Sequence, residues 1–187
     1  MAEISEYSRV TPAIERLAQV CLANSQINRD DYVRYNVKRG LRDLDGTGVL
    51  AGLTEISEII SSKTVNGEQQ PCPGELYYRG YSIQQLTSGF LNDGRFGFEE
   101  TAYLLMFGQL PDAAQLKQFN RQLAFYRSLP TNFVRDVILK APSPDMMNTL
   151  ARCVLTMASY DERPDDISLP NVIRQCIDMI AIFPLIA

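Results

Sequence analysis

Apolar residues recur at helical spacing along most of the chain, and the breaks between these stripes carry capping residues. Thr11-Pro12 opens a first helix, with Thr as cap and Pro at the first position; Ile14, Leu17, Ala18, Cys21 and Leu22 form its stripe. After a polar break at 24–28, Asp30-Asp31 precedes a second helical pattern through Val33, Val37 and Leu41, fading by Leu44. Helical period is then lost. Thr54, Ile56 and Ile60 suggest one side of a short strand, Asn66-Gly67 signals a turn, and Pro71-Cys-Pro73 holds the chain extended. Residues 53–79 therefore predict an irregular hairpin of strand, long turn and strand.

Gly74 to Leu86 reads as an extended segment entering a helix. Leu76, Tyr77 and Tyr78 favour a half-buried strand, and Gly80 lets the backbone turn. Ser82 with Gln85 three residues later forms a capping box for a helix that buries Ile83 and Leu86 and stops at Gly89. Arg79 is expected to tie the hairpin to a neighbouring helix. Phe98 to Phe107 predicts a helix with Glu99 and Glu100 in its first turn, apolar all round in its second half, and ended by Gly108. Asp112 caps the next, with Leu116, Phe119, Leu123 and Tyr126 as its stripe, and Thr131 caps another carrying Phe133, Val134, Val137 and Ile138. Asp145 caps a helix whose Met146, Met147, Leu150, Val154 and Met157 read as a core face. Asp161 to Asp166 reads as a solvated charged loop. Ser168 caps the last helix, with Val172, Ile173, Cys176, Ile177 and Ile180 packed and Pro184 as a kink. The fold class predicted is all-α, with one small β excursion, in a single helical unit over 1–187.

The chain's 187 residues are 45% hydrophobic and 21% charged, the balance of a globular domain with a sizeable core. A net charge of −4 excludes a general nucleic-acid binder. No 18-residue apolar run stands out to suggest a membrane span, and the acidic N-terminus lacks the regions of a signal peptide. Cys21, Cys72, Cys153 and Cys176 form no C-x-x-C pair, so reduced structural thiols are expected. Histidine is absent, which removes the commonest acid–base group and metal ligand from these residues. The chain ends inside an apolar run, which suggests the N-terminal part of a longer protein.

Few residue patterns carry chemistry. No P-loop, dinucleotide fingerprint or nucleophile elbow occurs, and Asp45-Gly-Thr-Gly48 reads as a turn. Glu99-Glu100 point about 100° apart on a helix, so dipole compensation explains them better than paired catalysis. The basic run Arg34, Lys38, Arg39 and Arg42 is open to two readings. On one helical face near a helix end, the cations offset the dipole; alternatively, a guanidinium fork suits phosphate oxygens.

Four stretches in order resemble the citrate synthase family: Gly40-Leu-Arg42 with Gly52-Leu-Thr-Glu-Ile56, Leu76-Tyr-Tyr-Arg-Gly80, Phe98-Glu-Glu-Thr-Ala-Tyr-Leu-Leu105 with Gly108-Gln-Leu-Pro111, and Arg174 to Ala181 with Phe183-Pro184. The wording from Gly40 to Val49 is similar to the bacterial citrate and 2-methylcitrate synthase branch. The resemblance implies an all-α homodimer, half of a large domain here, in an acyltransferase that condenses acetyl-CoA with oxaloacetate to citrate and CoA. That is a cytoplasmic, tricarboxylic acid cycle reaction with no cofactor beyond acetyl-CoA as substrate and no nucleic-acid or membrane partner. The family's two catalytic histidines and aspartate have no counterpart in this chain, so these residues alone are expected to be inert. By resemblance, Arg42 matches a position that touches CoA phosphates, and Tyr103, Leu104, Met106, Phe119 and Leu123 lie on helices that form the dimer interface. Ser143-Pro-Asp-Met-Met147 departs from a common His-Pro-Met-Asp wording. The rival expectations are a non-catalytic dimerisation or regulatory module on the same scaffold, and a 2-methylcitrate synthase-type enzyme using propionyl-CoA.

Overall fold

The computed structural model describes residues 8–38, 40–42 and 48–187. The fold is all-α with one small antiparallel sheet, as the periodicity predicts. The chain divides into two compact units, one of the described residues through Gln19 together with Ala113–Ala187, the other Val20–Asp112.

In the first unit, helix α1 (Pro12–Ala23) begins where Thr11 Oγ1 accepts the Ile14 N–H at 3.4 Å, and buries Ile14, Leu17 and Ala18. Helix α5 (Ala113–Tyr126) buries Phe119, Leu123 and Tyr126 and packs on α7 (Leu169–Ile186). Between them lie a π-helical turn, Val134–Leu139, and helix α6 (Met146–Met157). Phe133, Cys153 and Ile186 make a buried cluster, flanked by Leu129, Val137, Ile138, Leu150 and Met157.

Three expectations fail here for local reasons. Thr131 caps nothing: Asn132 takes a left-handed conformation (φ 65°), and the segment winds as a π-turn that leaves Val134 exposed. The methionine face of α6 is not core at its start. Asp145 caps the helix by accepting the Asn148 N–H at 3.0 Å, which leaves Met146 and Met147 exposed, while Cys153 turns inward. On α7 the buried stripe is rotated from the expected one. Asn171, Ile173, Arg174, Ile177, Ala181, Ile182 and Ile186 face inward, and Val172 and Cys176 face out. The 18 residues of α7 also make a run long and apolar enough to cross a bilayer, contrary to the sequence reading. Its buried Arg174 and Asn171 bond to neighbouring loop groups, as in the core helix of a folded domain.

In the second unit, helix α2 (Arg29–Arg34) is capped by Asn28, whose Oδ1 accepts the Asp30 N–H at 3.0 Å. It ends early because Asn36 is left-handed (φ 51°), so the stripe through Val37 and Leu41 never forms and Val33 and Leu41 are exposed. Strands β1 (Ser57–Val65) and β2 (Glu68–Tyr78) pair across a two-residue Asn66-Gly67 turn, tighter than expected, with φ of 53° and 84°. Positive φ at both positions is what a type I′ hairpin requires. The prolines sit inside β2. The register slips between Ile60 and Ser62, so that Ile60 faces Glu75 and Ser62 faces Pro71. Ser61 is thereby set against Cys72, Pro73 and Gly74, so Pro73 falls where the ladder is irregular, while Pro71 stays paired with Ser62.

Strand β3 (Tyr81–Ser82) pairs with Tyr77 and Tyr78. The capping box forms as predicted: Ser82 Oγ accepts the Gln85 N–H at 3.2 Å, and Gln85 Oε1 accepts the Ser82 N–H at 2.9 Å. Helix α3 (Ile83–Asn92) runs past Gly89, because an isolated glycine does not by itself end a helix. Helix α4 (Phe98–Phe107) has its predicted bounds. Gly108 closes it at φ 76°, where an added Cβ would lie 2.7 Å from Asn24 Cβ.

Arg79 ties this unit together. It is left-handed (φ 49°), and its side chain is only 7% exposed. Its Nε and Nη2 donate to the Leu105 carbonyl of α4 at 3.3 and 3.1 Å, and Nη2 to Ser25 Oγ at 3.2 Å. Glu55 lies 3.8 Å from Nη1. Truncating it strands a helix carbonyl and a carboxylate. Arg79→Ala is expected to cost about 2–3 kcal/mol in urea unfolding. Arg79→Lys should recover little, because an ammonium cannot reproduce the fork; a change under about 0.5 kcal/mol would remove Arg79 as the tie.

Candidate functional site

The basic run does not converge. With α2 ended at Arg34, the chain turns at Tyr35 and Asn36, and the Lys38 N–H donates to the Leu50 carbonyl at 2.8 Å. Arg34, Lys38 and Arg42 therefore share no helical face. Arg34 lies in the last turn of α2, 4.0 Å from Asp31 and 5.3 Å from the Tyr35 ring centroid. Arg42 is exposed and its backbone bridges to Gly48. Arg39 and the 45–47 part of the glycine turn lie outside the described residues. Of the five residues expected at an interface, Tyr103, Leu104, Phe119 and Leu123 are buried within the single chain, and Met106 is half-buried.

The most concentrated chemistry lies elsewhere, where α7 meets the 161–168 loop. Arg174 is 2% exposed. Its Nε donates to Asn171 Oδ1 at 3.0 Å and its Nη2 to Asp161 Oδ2 at 2.5 Å. Asn171 in turn donates to the carbonyls of Arg163 and Asp166 at 3.0 and 2.8 Å, and Gln175 donates to Asp161 Oδ2 at 3.0 Å. Arg163 pairs with Asp166, whose Oδ1 accepts the Ser168 N–H at 2.9 Å. The loop that reads as solvated is thus a bonded network around a buried cation. Burial pushes the Asp161 carboxyl up, but bonds from Gln175, the Arg163 backbone and Arg174 outweigh it and hold it below its ordinary value.

Four residues on from Arg174 stands Asp178. Burial raises its carboxyl to about 6; Arg174 pulls against this and Asp161 adds repulsion. Its carboxylate has no hydrogen bond or ion pair among the described residues. The Tyr126 hydroxyl is fully buried nearby without a partner, and burial pushes its phenol up. Arg174, Asp161 and Asp178 line a cavity of about 220 Å³ with Leu129, Met157 and Tyr160. Sequence reading missed this group, although its signal was present: Arg174 and Asp178, four apart, are the two charged positions of α7. Among the described residues no cluster of His, Cys, Asp and Glu suited to a metal ion occurs.

Multi-helical units carrying one small hairpin, with this order of capped elements, define the scaffold class. The family model for the citrate synthase C-terminal domain matches residues 43–187, and the chain belongs to the citrate synthase family. The 2-methylcitrate synthase 1 of Corynebacterium glutamicum is 30% identical over 128 residues, 68% of this chain and 28% of that protein. The citrate synthase of Haloferax volcanii is 32% identical over 132 residues, 69% of this chain and 29% of its own. The solved citrate synthase from Pyrobaculum aerophilum superposes with a TM-score of 0.58 at 25% identity, covering 78% of this chain and 36% of that one. The chain spans between a quarter and a third of the length of these two curated relatives.

Asp178 has a definite pH signature. Its folded value lies above the ordinary 3.8, so between about pH 4 and 6 the folded chain holds a proton that the unfolded chain has released. Its contribution to stability therefore falls as pH rises through that window and levels off above it. Asp178→Asn should raise the thermal midpoint at pH 7 and leave it nearly unchanged at pH 4. A gain at pH 7 of about 1–3 kcal/mol is expected from the shift; an equal effect at both pH values would contradict it.

Proposed function

We propose that this chain supplies scaffold to a citrate synthase-type acyltransferase that condenses an acyl-CoA with oxaloacetate in the cytoplasm. The observation that carries the reading is the family match over residues 43–187. Relatives named as 2-methylcitrate synthases stand beside those named as citrate synthases, so acetyl-CoA and propionyl-CoA are both candidate donors. With no histidine among its 187 residues, this chain contributes no imidazole to the chemistry. Its part is to build helices and to offer Arg42. Arg42 is exposed, and a guanidinium fork suits the oxygens of a CoA phosphate.

Homodimerisation through α4 and α5 belongs to the same proposal. Tyr103, Leu104, Phe119 and Leu123 shape those helices from inside, and Met106 is the side chain of the five with most area to give. A second reading, a non-catalytic dimerisation or regulatory module, keeps the scaffold and drops the chemistry.

The protein purified from its own source should release CoA from acetyl-CoA or propionyl-CoA when oxaloacetate is present, followed by thiol titration. No release with either donor would overturn the enzyme reading and leave the module. The 187-residue chain alone should give none. In the source protein, Arg42→Ala should raise KM for the acyl-CoA by about 3–10-fold, the loss of a charge-assisted contact; an unchanged KM would remove Arg42 from the CoA site. Sedimentation should give a dimer that Met106→Glu weakens, and a monomer for the unaltered protein would end the interface assignment.

A further inference from the structure

Beside α7 stand two polar groups whose bonding is incomplete, one of them lining the cavity. Arg174 is not one of them, because Asp161 and Asn171 already occupy its fork. Asp178 is the first, a carboxylate facing the cavity without a hydrogen bond or ion pair among the described residues. The Tyr126 hydroxyl is the second, fully buried, unpartnered, and close enough to Arg174 and Asp178 to feel both charges. Counting Arg174 against Asp161, the local charge left over is that of Asp178. Leu129, Pro130 and Met157 make the cavity's apolar floor, and the Tyr160 ring adds an aromatic wall.

Those features select a ligand class. A carboxylate without a counter-ion beside an aromatic face attracts a cation. An anion would meet Asp178 and find the Arg174 fork taken. A calcium-type ion wants six to eight oxygens and finds far fewer unengaged here. An apolar cavity of about 150 Å³ takes benzene, so about 220 Å³ takes a six-membered ring with one substituent. We propose that this cavity is a binding site for a small primary ammonium carrying an apolar body. The nitrogen sits on the Asp178 carboxylate, and the body lies against Met157, Leu129 and the Tyr160 ring.

The pH dependence is separable. The charged and titratable groups that face Asp178 are Arg174 on its own helix, Asp161 from the loop and Tyr126 from α5. Asp161 is held low, and Tyr126 is pushed up. Between pH 5 and 7.5 only Asp178 changes charge among them.

The test titrates the full chain with cyclohexylammonium, cyclohexanol and cyclohexanecarboxylate, followed by calorimetry and by shifts of α7 amide resonances. At pH 7.5 the ammonium should saturate and bind at least tenfold tighter than either other probe. Its affinity should fall several-fold or more at pH 5 and at least tenfold in Asp178→Asn at pH 7.5. Tyr160→Leu should weaken it by about 2–5-fold, the scale of an exposed cation–π contact. The pH arm uses the unaltered chain, so it stands even if a variant does not fold. Absence of saturable binding, equal affinity for cyclohexanol, or ammonium binding indifferent to both pH and Asp178→Asn would each overturn the proposal.

Discussion

A guanidinium that is 2% exposed cannot be left half-matched, and the unit formed with Ala113–Ala187 is arranged around that constraint. Removing a cation from water costs several kcal/mol unless its donors are satisfied. Arg174 is satisfied by a side chain on its own helix and by a carboxylate from the loop before it. That requirement fixes the loop, which Asn171 and Gln175 then lace to α7 through backbone carbonyls and Asp161. It also fixes the rotation of α7. With Arg174 and Asn171 turned inward, Ile173, Ile177 and Ala181 follow them and Cys176 is carried to the surface.

The Val20–Asp112 unit meets the same constraint with Arg79. There the cation sits at a left-handed turn between two strands and reaches a helix carbonyl, a serine and a glutamate. In both units one arginine joins elements that hydrophobic contact alone would leave free to slide. The cost of this device appears beside Arg174. Asp178 shares its electrostatic field without sharing its bonds, so a carboxylate is left facing a cavity at a raised pKa. Such an uncompensated group is where stability gives way to binding.

Much of the fold was legible. The caps at Thr11, Ser82 and Asp145 and the glycine stop at Gly108 all form, because each satisfies backbone groups within a few residues of itself. The family was legible for another reason: several short wordings in fixed order are more specific than any one of them, and the match over 43–187 agrees. Of the candidate residues, the role expected for Arg79 was legible because a charged side chain between a strand and a glycine turn must find a partner.

What failed needed information from afar. The extent of α2 turned on Asn36, whose left-handed backbone overrode an acceptable apolar period. Pro73 fitted into β2 because the register slips between Ile60 and Ser62. The sequence by itself determined where several helices start, that a hairpin turns at Asn66-Gly67 and which family the chain belongs to, since those rest on neighbours within a turn or on word order. Only the tertiary structure decided which face of α7 is buried and that Asp161 serves Arg174, thirteen residues away. It also left Asp178 without a partner. Matching a buried charge depends on what other elements bring to it, and no local pattern specifies that.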